Sequence, residues 1–292
     1  MFSPQLSKKI ANAQLNEGAI ENLIKLAIDE DLAGGSDVTT TATIASEQES
    51  IAEFRNRGTG VISGLLIAAA VLEYCGVTDY ELLKNDGDFV QPNTLLIRVH
   101  GNTRSILLAE RTALNFLGRL SGISSLTNIW VAEVADFKVH IRDTRKTTPG
   151  YRELEKFAVR MGGGTNHRMS LSDAALIKDN HVLAAGGVVK ALIDVSSKNP
   201  SLPIEIEVDT IEQLREILEL KVDLVMLDNM SPEQCRAAVQ LVNGKFKLEA
   251  SGGITLDNAK AYAVTGVDYL AIGALTHSAT SLDIGLDFLG EK

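Results

Sequence analysis

The sequence predicts an α/β protein in which a mixed α/β unit is followed by an α/β barrel. Three observations lead to this fold class. Strand and helix patterns in the first 120 residues do not alternate strictly, as in an α+β unit. From residue 138 onward, short apolar strands alternate with helices six times, which is typical of a parallel sheet in a closed or nearly closed barrel. A doubly wound sheet, the alternative, would carry a G-x-G-x-x-G motif after its first strand, and none is found there.

The first part begins with a helix over residues 19–32, in which apolar residues recur at helical spacing and Gly34 and Gly35 provide the stop signal. Strands are then predicted at 51–57, 60–63, 80–83 and 94–99, and helices at 65–74, 105–117 and 124–135. This order contains no repeated strand-helix unit, so the part is expected to form a separate domain.

The second part repeats one pattern, a short apolar strand followed by a helix. Strands are predicted at 138–142, 175–178, 204–208, 224–227, 247–250 and 269–272, with helices at 151–161, 183–195, 211–218, 232–242 and 256–264. Serial units of this kind place every strand parallel to its neighbours.

Composition limits the classes of function. The chain has 292 residues, 45% of them hydrophobic, and its net charge of -10 argues against general nucleic-acid binding, which needs a basic surface. The N-terminus lacks the apolar core of a secretory signal, and the most apolar run, residues 61–72, is too short to span a bilayer. Cys75 and Cys235 are far apart and form no C-x-x-C pair, so a reduced, cytoplasmic location is expected.

Positive charge is concentrated in one window of this acidic chain. Residues 142–178 contain eight Lys or Arg and four Asp or Glu, which gives +4 there and leaves -14 elsewhere. Such a window is usually a solvated face. Because glycines Gly162 to Gly164 interrupt this one, it is a candidate anion pocket.

Polar residues follow the predicted barrel strands, where barrels of this kind place their chemistry. In chain order they are Arg145 and Lys146, Lys178, Glu207 and Asp209, Asp228 and Asn229, Ser251 to Gly253, and Gly273. Each one alone is more often a solvated residue or a helix cap. The set is more informative, since cations follow the early strands, carboxylates the middle ones and glycine-rich turns the last.

This order suggests a site for two anions. The glycine-rich turns precede helix starts, where backbone N–H groups can receive a phosphate, although glycines also simply make tight turns. Glu207 and Asp228 suit a divalent metal or ribose hydroxyls. Arg145, Arg168 and Lys178, with His167 as a further donor, could hold a small polycarboxylate, although His167 alone could be an ordinary surface histidine. A Schiff-base aldolase that uses Lys178 and a non-enzymatic anion-binding module stay open as other interpretations.

Eight segments together resemble one known family over nearly the full length. They are EDLAGGSDVTT (30–40), ERTALNFLGRLSGIS (110–124), DTRKTTPGYRELEKFAV with GGGTNHR (143–168), LIKDNH (176–181), EIEVDT (205–210), VMLDNM (225–230), EASGGIT (249–255) and DYLAIGALTHSA (268–279). The chain is similar to the quinolinate phosphoribosyltransferases, a family of type II phosphoribosyltransferases. TRKTTPG, the HR pair and KDNH in this order are the most specific of these motifs.

The resemblance implies the architecture. It comprises an N-terminal α/β sandwich domain over residues 1–120, to which the tail 278–292 is expected to return, and an incomplete, about seven-stranded α/β barrel of TIM-like type over 121–277. The family forms a head-to-tail homodimer with shared active sites, and neither nucleic acid nor a membrane is expected as a partner.

The resemblance also implies the reaction. It is transfer of the phosphoribosyl group from 5-phosphoribosyl 1-pyrophosphate (PRPP) to quinolinate with decarboxylation, a step of NAD biosynthesis that uses Mg²⁺. Arg111 of the partner chain, Arg145, His167, Arg168 and Lys178 would bind quinolinate, while Lys146, Glu207, Asp228, Ser251, Gly252 and Gly273 would bind PRPP. Within this second group, Lys146, Glu207 and Asp228 would be catalytic, and the two carboxylates would hold Mg²⁺. A protein of the same fold acting on nicotinate, or a paralogue linked to molybdenum transport, is the alternative; the intact KDNH favours quinolinate.

Overall fold

The structure, a computed structural model, describes residues 2–289, so the last three residues of the predicted tail, 290–292, lie outside the described chain. It divides into two compact units. The first contains residues up to 128, residues 148–163 and the chain from 278 onward, and the second contains residues 129–147 and 164–277.

Helices and strands follow one another along the chain with these bounds. The helices are α1 (Pro4–Asn12), α2 (Glu17–Leu32), α3 (Val38–Thr43), α4 (Leu65–Tyr74), α5 (Thr103–Glu133), α6 (Arg152–Met161), α7 (Asp179–Ala185), α8 (Val188–Lys198), α9 (Ile211–Glu216), α10 (Pro232–Val242), α11 (Leu256–Ala263) and α12 (Ala274–His277). The strands are β1 (Glu49–Asn56), β2 (Gly60–Val61), β3 (Asp79–Leu82), β4 (Phe89–Val90), β5 (Leu95–Asn102), β6 (His140–Arg142), β7 (Ala175–Ile177), β8 (Ile204–Val208), β9 (Leu224–Asp228), β10 (Lys247–Ser251), β11 (Tyr269–Ala271) and β12 (Ile284–Leu289). All six predicted barrel strands are present.

The first unit contains an antiparallel sheet in the order β12-β1-β5-β3 and a short β2-β4 ribbon. Its apolar helix α4 is buried along most of its length, as its sequence predicts. Gly64, which has a φ of 101°, is the N-cap of this helix, and the Asp86 carboxylate accepts the N–H of Leu65 at 2.8 Å. The side chain of Asp86 therefore satisfies a backbone donor that the first turn of a helix leaves open.

The prediction of two helices at 105–117 and 124–135 is wrong, because α5 is one continuous helix of 31 residues. Gly118 and Gly122 lie in the interval between the two predicted helices, and they serve close packing: a Cβ would lie 3.0 Å from the Leu282 carbonyl oxygen at Gly118 and 2.1 Å from that of Thr280 at Gly122. The returning chain before β12 therefore lies directly against this helix in the first unit.

Helix α6 belongs to the first unit, whereas the predicted barrel domain, 121–277, included it. Arg119 on α5 lies 2.8 Å from the fully buried Glu155 of α6, and the rings of Phe116 and Tyr151 stack with centroids 5.6 Å apart. A buried carboxylate needs such a partner, so α6 is fixed against α5.

The second unit is built on a parallel sheet in the order β6-β11-β10-β9-β8-β7. The two edge strands, β6 and β7, are consecutive in the chain and are not paired with each other in this sheet. A closed barrel would join them, so the order is that of an incomplete α/β barrel. The resemblance implied about seven strands; the described sheet has six, and Thr165 adds one isolated parallel bridge to Arg142. A single predicted helix at 183–195 is also corrected, because Gly186 and Gly187, with φ of 89° and 132°, separate α7 from α8.

Among residues 2–289, no helix combines the length and the apolar character needed to cross a membrane.

Candidate active site

Two arginines meet near the end of β6. After that strand, the Thr147 N–H donates to the Arg145 carbonyl at 2.9 Å, which forms a tight turn. The buried Nε atoms of Arg145 and Arg168 have no hydrogen-bond partner among the described residues, although Arg168 Nη1 donates to the Ala174 carbonyl at 3.0 Å. Burial lowers the pKa of Arg168, and the nearby Arg145 lowers it further. These two neighbouring guanidinium groups each have a buried Nε–H donor that no described residue accepts, which favours a ligand with two negative charges.

His167, which the resemblance assigns to the same ligand, is buried beside carboxylates. Its Nε2 lies 2.7 Å from Glu205 Oε2 and 3.8 Å from Glu249 Oε1. Glu249 in turn accepts a hydrogen bond from Arg142 Nη1 at 2.8 Å. Burial, followed by the charge of Glu205, raises the pKa of Glu249 to about 7, while His167 and Arg142 oppose that rise.

Arg142, Glu205 and Glu249 were not among the predicted site residues. A signal for two of them was present: Glu205 and Glu249 interrupt the apolar strands β8 and β10, and a charge in a buried strand requires a partner.

Three carboxylates gather at the ends of β8 and β9. One oxygen each from Glu207, Asp209 and Asp228 lies within 4.8 Å of the others. Burial raises the pKa of Glu207 and of Asp228, and Asp209 raises that of Asp228 further. Lys178 Nζ lies 3.5 Å from Glu207 Oε2 and opposes the rise for Glu207. Hard oxygen donors in this number suit Mg²⁺, and Asp209 is the member to which the sequence reasoning gave no role.

The glycine-rich turn after β10 is shaped by one contact. Gly252 has a φ of 87°, and a Cβ there would lie 2.1 Å from Asn229 Oδ1. Asn229 is held in place because its N–H donates to the Ser251 carbonyl at 2.8 Å and its Nδ2 donates to Asp228 Oδ2 at 2.6 Å. The predicted phosphate turn and the predicted metal carboxylate are therefore connected through Asn229.

Lys146 lies against the last turn of the barrel. A Cβ at Gly273 would be 3.2 Å from Lys146 Cδ, and the hydroxyl of Thr276 donates to the Lys146 carbonyl at 2.8 Å. A glycine at position 273 leaves the space that this lysine occupies. Lys146 and Gly273 were both predicted to bind PRPP, and the structure brings them together.

Arg111 differs from the other predicted residues because it lies on α5 in the first unit, where its side chain is exposed. Its role as a donor to a partner chain stays a prediction.

Two of these groups of site residues line cavities. His167 and Arg168 line a cavity of about 430 Å³ that also includes the first residues of β8, β9, β10 and β11, so it reaches the amino ends of those strands. Glu207 and Asp209 line a second cavity of about 300 Å³ beside α7.

The chain is similar to known proteins over most of its length. The domain profile described as Quinolinate phosphoribosyl transferase, N-terminal domain, matches residues 37–121, and the corresponding C-terminal domain profile matches residues 123–287. A relative from Mycobacterium leprae (strain TN), named nicotinate-nucleotide pyrophosphorylase [carboxylating], is 48% identical over 275 residues, which are 92% of this chain and 97% of the relative. Another, from Bacillus subtilis (strain 168) and named a probable nicotinate-nucleotide pyrophosphorylase [carboxylating], is 39% identical over 94% of each chain. The solved structure of the nicotinate-nucleotide pyrophosphorylase from Francisella tularensis is 36% identical and superposes with a TM-score of 0.90 over 94% of this chain and 98% of that one. The predicted fold class is thereby confirmed.

Proposed function

Because the chain belongs to the quinolinate phosphoribosyltransferase family, we propose that it transfers the phosphoribosyl group of PRPP to quinolinate, with release of pyrophosphate and CO₂. The observation that carries this choice of acceptor is the pair Arg145 and Arg168, whose Nε atoms are buried without a hydrogen-bond partner in the described chain. Quinolinate carries two adjacent carboxylates, and two guanidinium forks would neutralise them in a site from which water is excluded.

The donor would be bound by a different set of residues. Lys146, which lies against Gly273, would meet the charge of the pyrophosphate, and the turn at Ser251 and Gly252 would offer backbone N–H groups to a phosphate. Mg²⁺ would be held by Glu207 and Asp228, with Asp209 as a further ligand, and it would neutralise charge on the leaving pyrophosphate.

Catalysis in this proposal depends mainly on positioning and charge. The pyridine nitrogen lone pair attacks C1 of the ribose while the bond from C1 to the pyrophosphate oxygen breaks. The carboxylates of Glu207 and Asp228 favour the positive charge that develops on the sugar carbon. Attack leaves the ring nitrogen positive, so the ring accepts the electron pair when the adjacent carboxylate leaves as CO₂, and a proton takes its place. Nicotinate mononucleotide is the product.

We further propose a homodimer in which Arg111 of one subunit completes the quinolinate site of the other. The exposed position of Arg111 on α5 and its location in the first unit support this arrangement. A cytoplasmic location is also proposed, and the two free cysteines, Cys75 and Cys235, support it.

The reaction can be tested directly. Purified protein with Mg²⁺, PRPP and quinolinate should release pyrophosphate and CO₂ in equal amounts. Nicotinate in place of quinolinate should bind much more weakly, because one guanidinium would then lack its carboxylate. Release of neither product with quinolinate, or a preference for nicotinate, would contradict the proposal.

The aldolase interpretation has a separate test. Lys178 Nζ forms an ion pair with Glu207 Oε2 at 3.5 Å, an arrangement that suits a lysine in an anion-binding site rather than one that condenses with a carbonyl. Borohydride treatment in the presence of a carbonyl substrate should therefore trap no adduct.

A further inference from the structure

The peptide between Asn166 and His167 is held on both sides by the residues at the end of β6. Arg142 Nε donates to the Asn166 carbonyl at 3.3 Å. The buried carboxylate of Asp143 accepts the His167 N–H at 2.8 Å and the Asn166 Nδ2 at 2.6 Å. These three contacts fix a backbone segment directly before Arg168.

Arg142 is itself held in place. Its Nη1 donates to the fully buried Glu249 at 2.8 Å, and its guanidinium lies over the ring of Tyr269, 4.5 Å from the centroid. One arginine thus joins a carboxylate of β10 to the backbone before His167. The cluster of His167, Glu205 and Glu249 has the spacing of metal ligands, but the charge of Arg142 already meets one of its carboxylates. We therefore interpret this network as a support for the backbone of residues 166 and 167 rather than as a metal site.

We infer that Arg142 and Asp143 are positioning residues for the acceptor: they fix the backbone of residues 166 and 167 and thereby the direction of the Arg168 guanidinium toward an aromatic dicarboxylate. The inference rests on the proposed function, in which Arg168 binds quinolinate. Displacement of a binding group by about 1 Å is enough to reduce catalysis strongly. None of the three hydrogen bonds to residues 166 and 167 described above involves Lys146, Gly252 or Gly273, so a defect in them should affect quinolinate and leave PRPP largely unaffected.

The test is Arg142→Lys, which keeps the positive charge. A lysine can pair with Glu249, but it lacks the second nitrogen that reaches the Asn166 carbonyl. Its KM for quinolinate should rise by about tenfold, the effect of losing one charge-assisted hydrogen bond, while its KM for PRPP should change by less than about twofold.

Arg119→Lys is the matched control. Arg119 also donates to a buried carboxylate, that of Glu155 at 2.8 Å, and to a backbone carbonyl, that of Ala279 at 3.0 Å. Unlike Arg142, it lies in the first unit. This control should lower the Tm and leave the ratio of the two KM values unchanged.

A second variant, Asp143→Asn, keeps an acceptor for the His167 N–H and loses the acceptor for Asn166 Nδ2. It should show the same selective rise in the KM for quinolinate, and it tests the inference if Arg142→Lys does not fold. Equal rises in both KM values, or a lower Tm without any change in KM, would overturn the inference. Absence of turnover in the unmodified protein would instead refute the proposed function, so the two failures are distinguishable.

Discussion

Gly252→Ala tests the connection between the predicted phosphate turn and the predicted metal carboxylate. Gly252 has a φ of 87°, and an alanine in the left-handed region costs roughly 1–2 kcal/mol. Its Cβ would also lie 2.1 Å from Asn229 Oδ1, so the amide must move and its hydrogen bond to Asp228 is lost. A hydrogen bond to a charged group contributes about 1.5–3 kcal/mol, so the total loss of stability should be roughly 3–5 kcal/mol.

Gly253→Ala is the matched control, because Gly253 has a φ of 65° and nothing within 4 Å of the added Cβ. It should lose only the conformational cost, roughly 1–2 kcal/mol. Urea unfolding of both variants gives the difference in the free energy of unfolding, for which we expect about 2 kcal/mol or more from the lost hydrogen bond. Gly252→Ala should also raise the KM for PRPP. Equal destabilisation of the two variants would refute the argument that Asn229 and Gly252 are packed together.

Three further predictions concern other parts of the molecule. Burial raises the pKa of Glu249 to about 7, so the unmodified protein should lose stability as the pH rises from about 4.5 through 7. Glu249→Gln lacks this carboxyl, so the Tm of the variant minus the Tm of the unmodified protein should increase between pH 5 and pH 8. Mixing Arg111→Ala with Arg145→Ala protein should restore part of the activity, and no recovery despite proven subunit exchange would contradict the shared site. Gly122→Ala should destabilise the protein, because its Cβ would lie 2.1 Å from a backbone carbonyl, whereas Gly18→Ala in α2 should stabilise it by about 0.5–1 kcal/mol; thermal unfolding distinguishes the two signs.

The barrel strands could be predicted because each is a short, mostly apolar run, and all but the last end in or are followed by a polar residue. Glu207 and Asp228 were identifiable for the same reason, since they stand where a buried strand ends. The prediction that Lys146 and Gly273 belong to one site came from two turns 127 positions apart in sequence, and a parallel sheet brings such turns to one edge.

Features that depend on tertiary contacts could not be predicted in the same way. Glycine weakens an isolated helix, but Gly118 and Gly122 lie inside one continuous helix because they admit a neighbouring backbone, a contact that the local sequence does not reveal. Arg142 and Glu249 read as ordinary charged residues, since nothing in the local sequence shows that each is the other's partner. The split at Gly186 and Gly187 is the exception, because two successive glycines are a recognised stop signal within the predicted helix at 183–195.

The assignment of α6 to the first unit has a consequence for how the chain can be divided. The polypeptide passes between the two units four times, after residues 128, 147, 163 and 277, and the first of these passages lies inside α5. No single cut yields either unit as a continuous fragment. Residues 145 and 146 precede the passage of the chain through α6 and residues 167 and 168 follow it, so the two halves of the predicted cationic site are separated in sequence by a segment of the other unit. Neither unit is therefore a module that gene fusion or truncation could transfer intact.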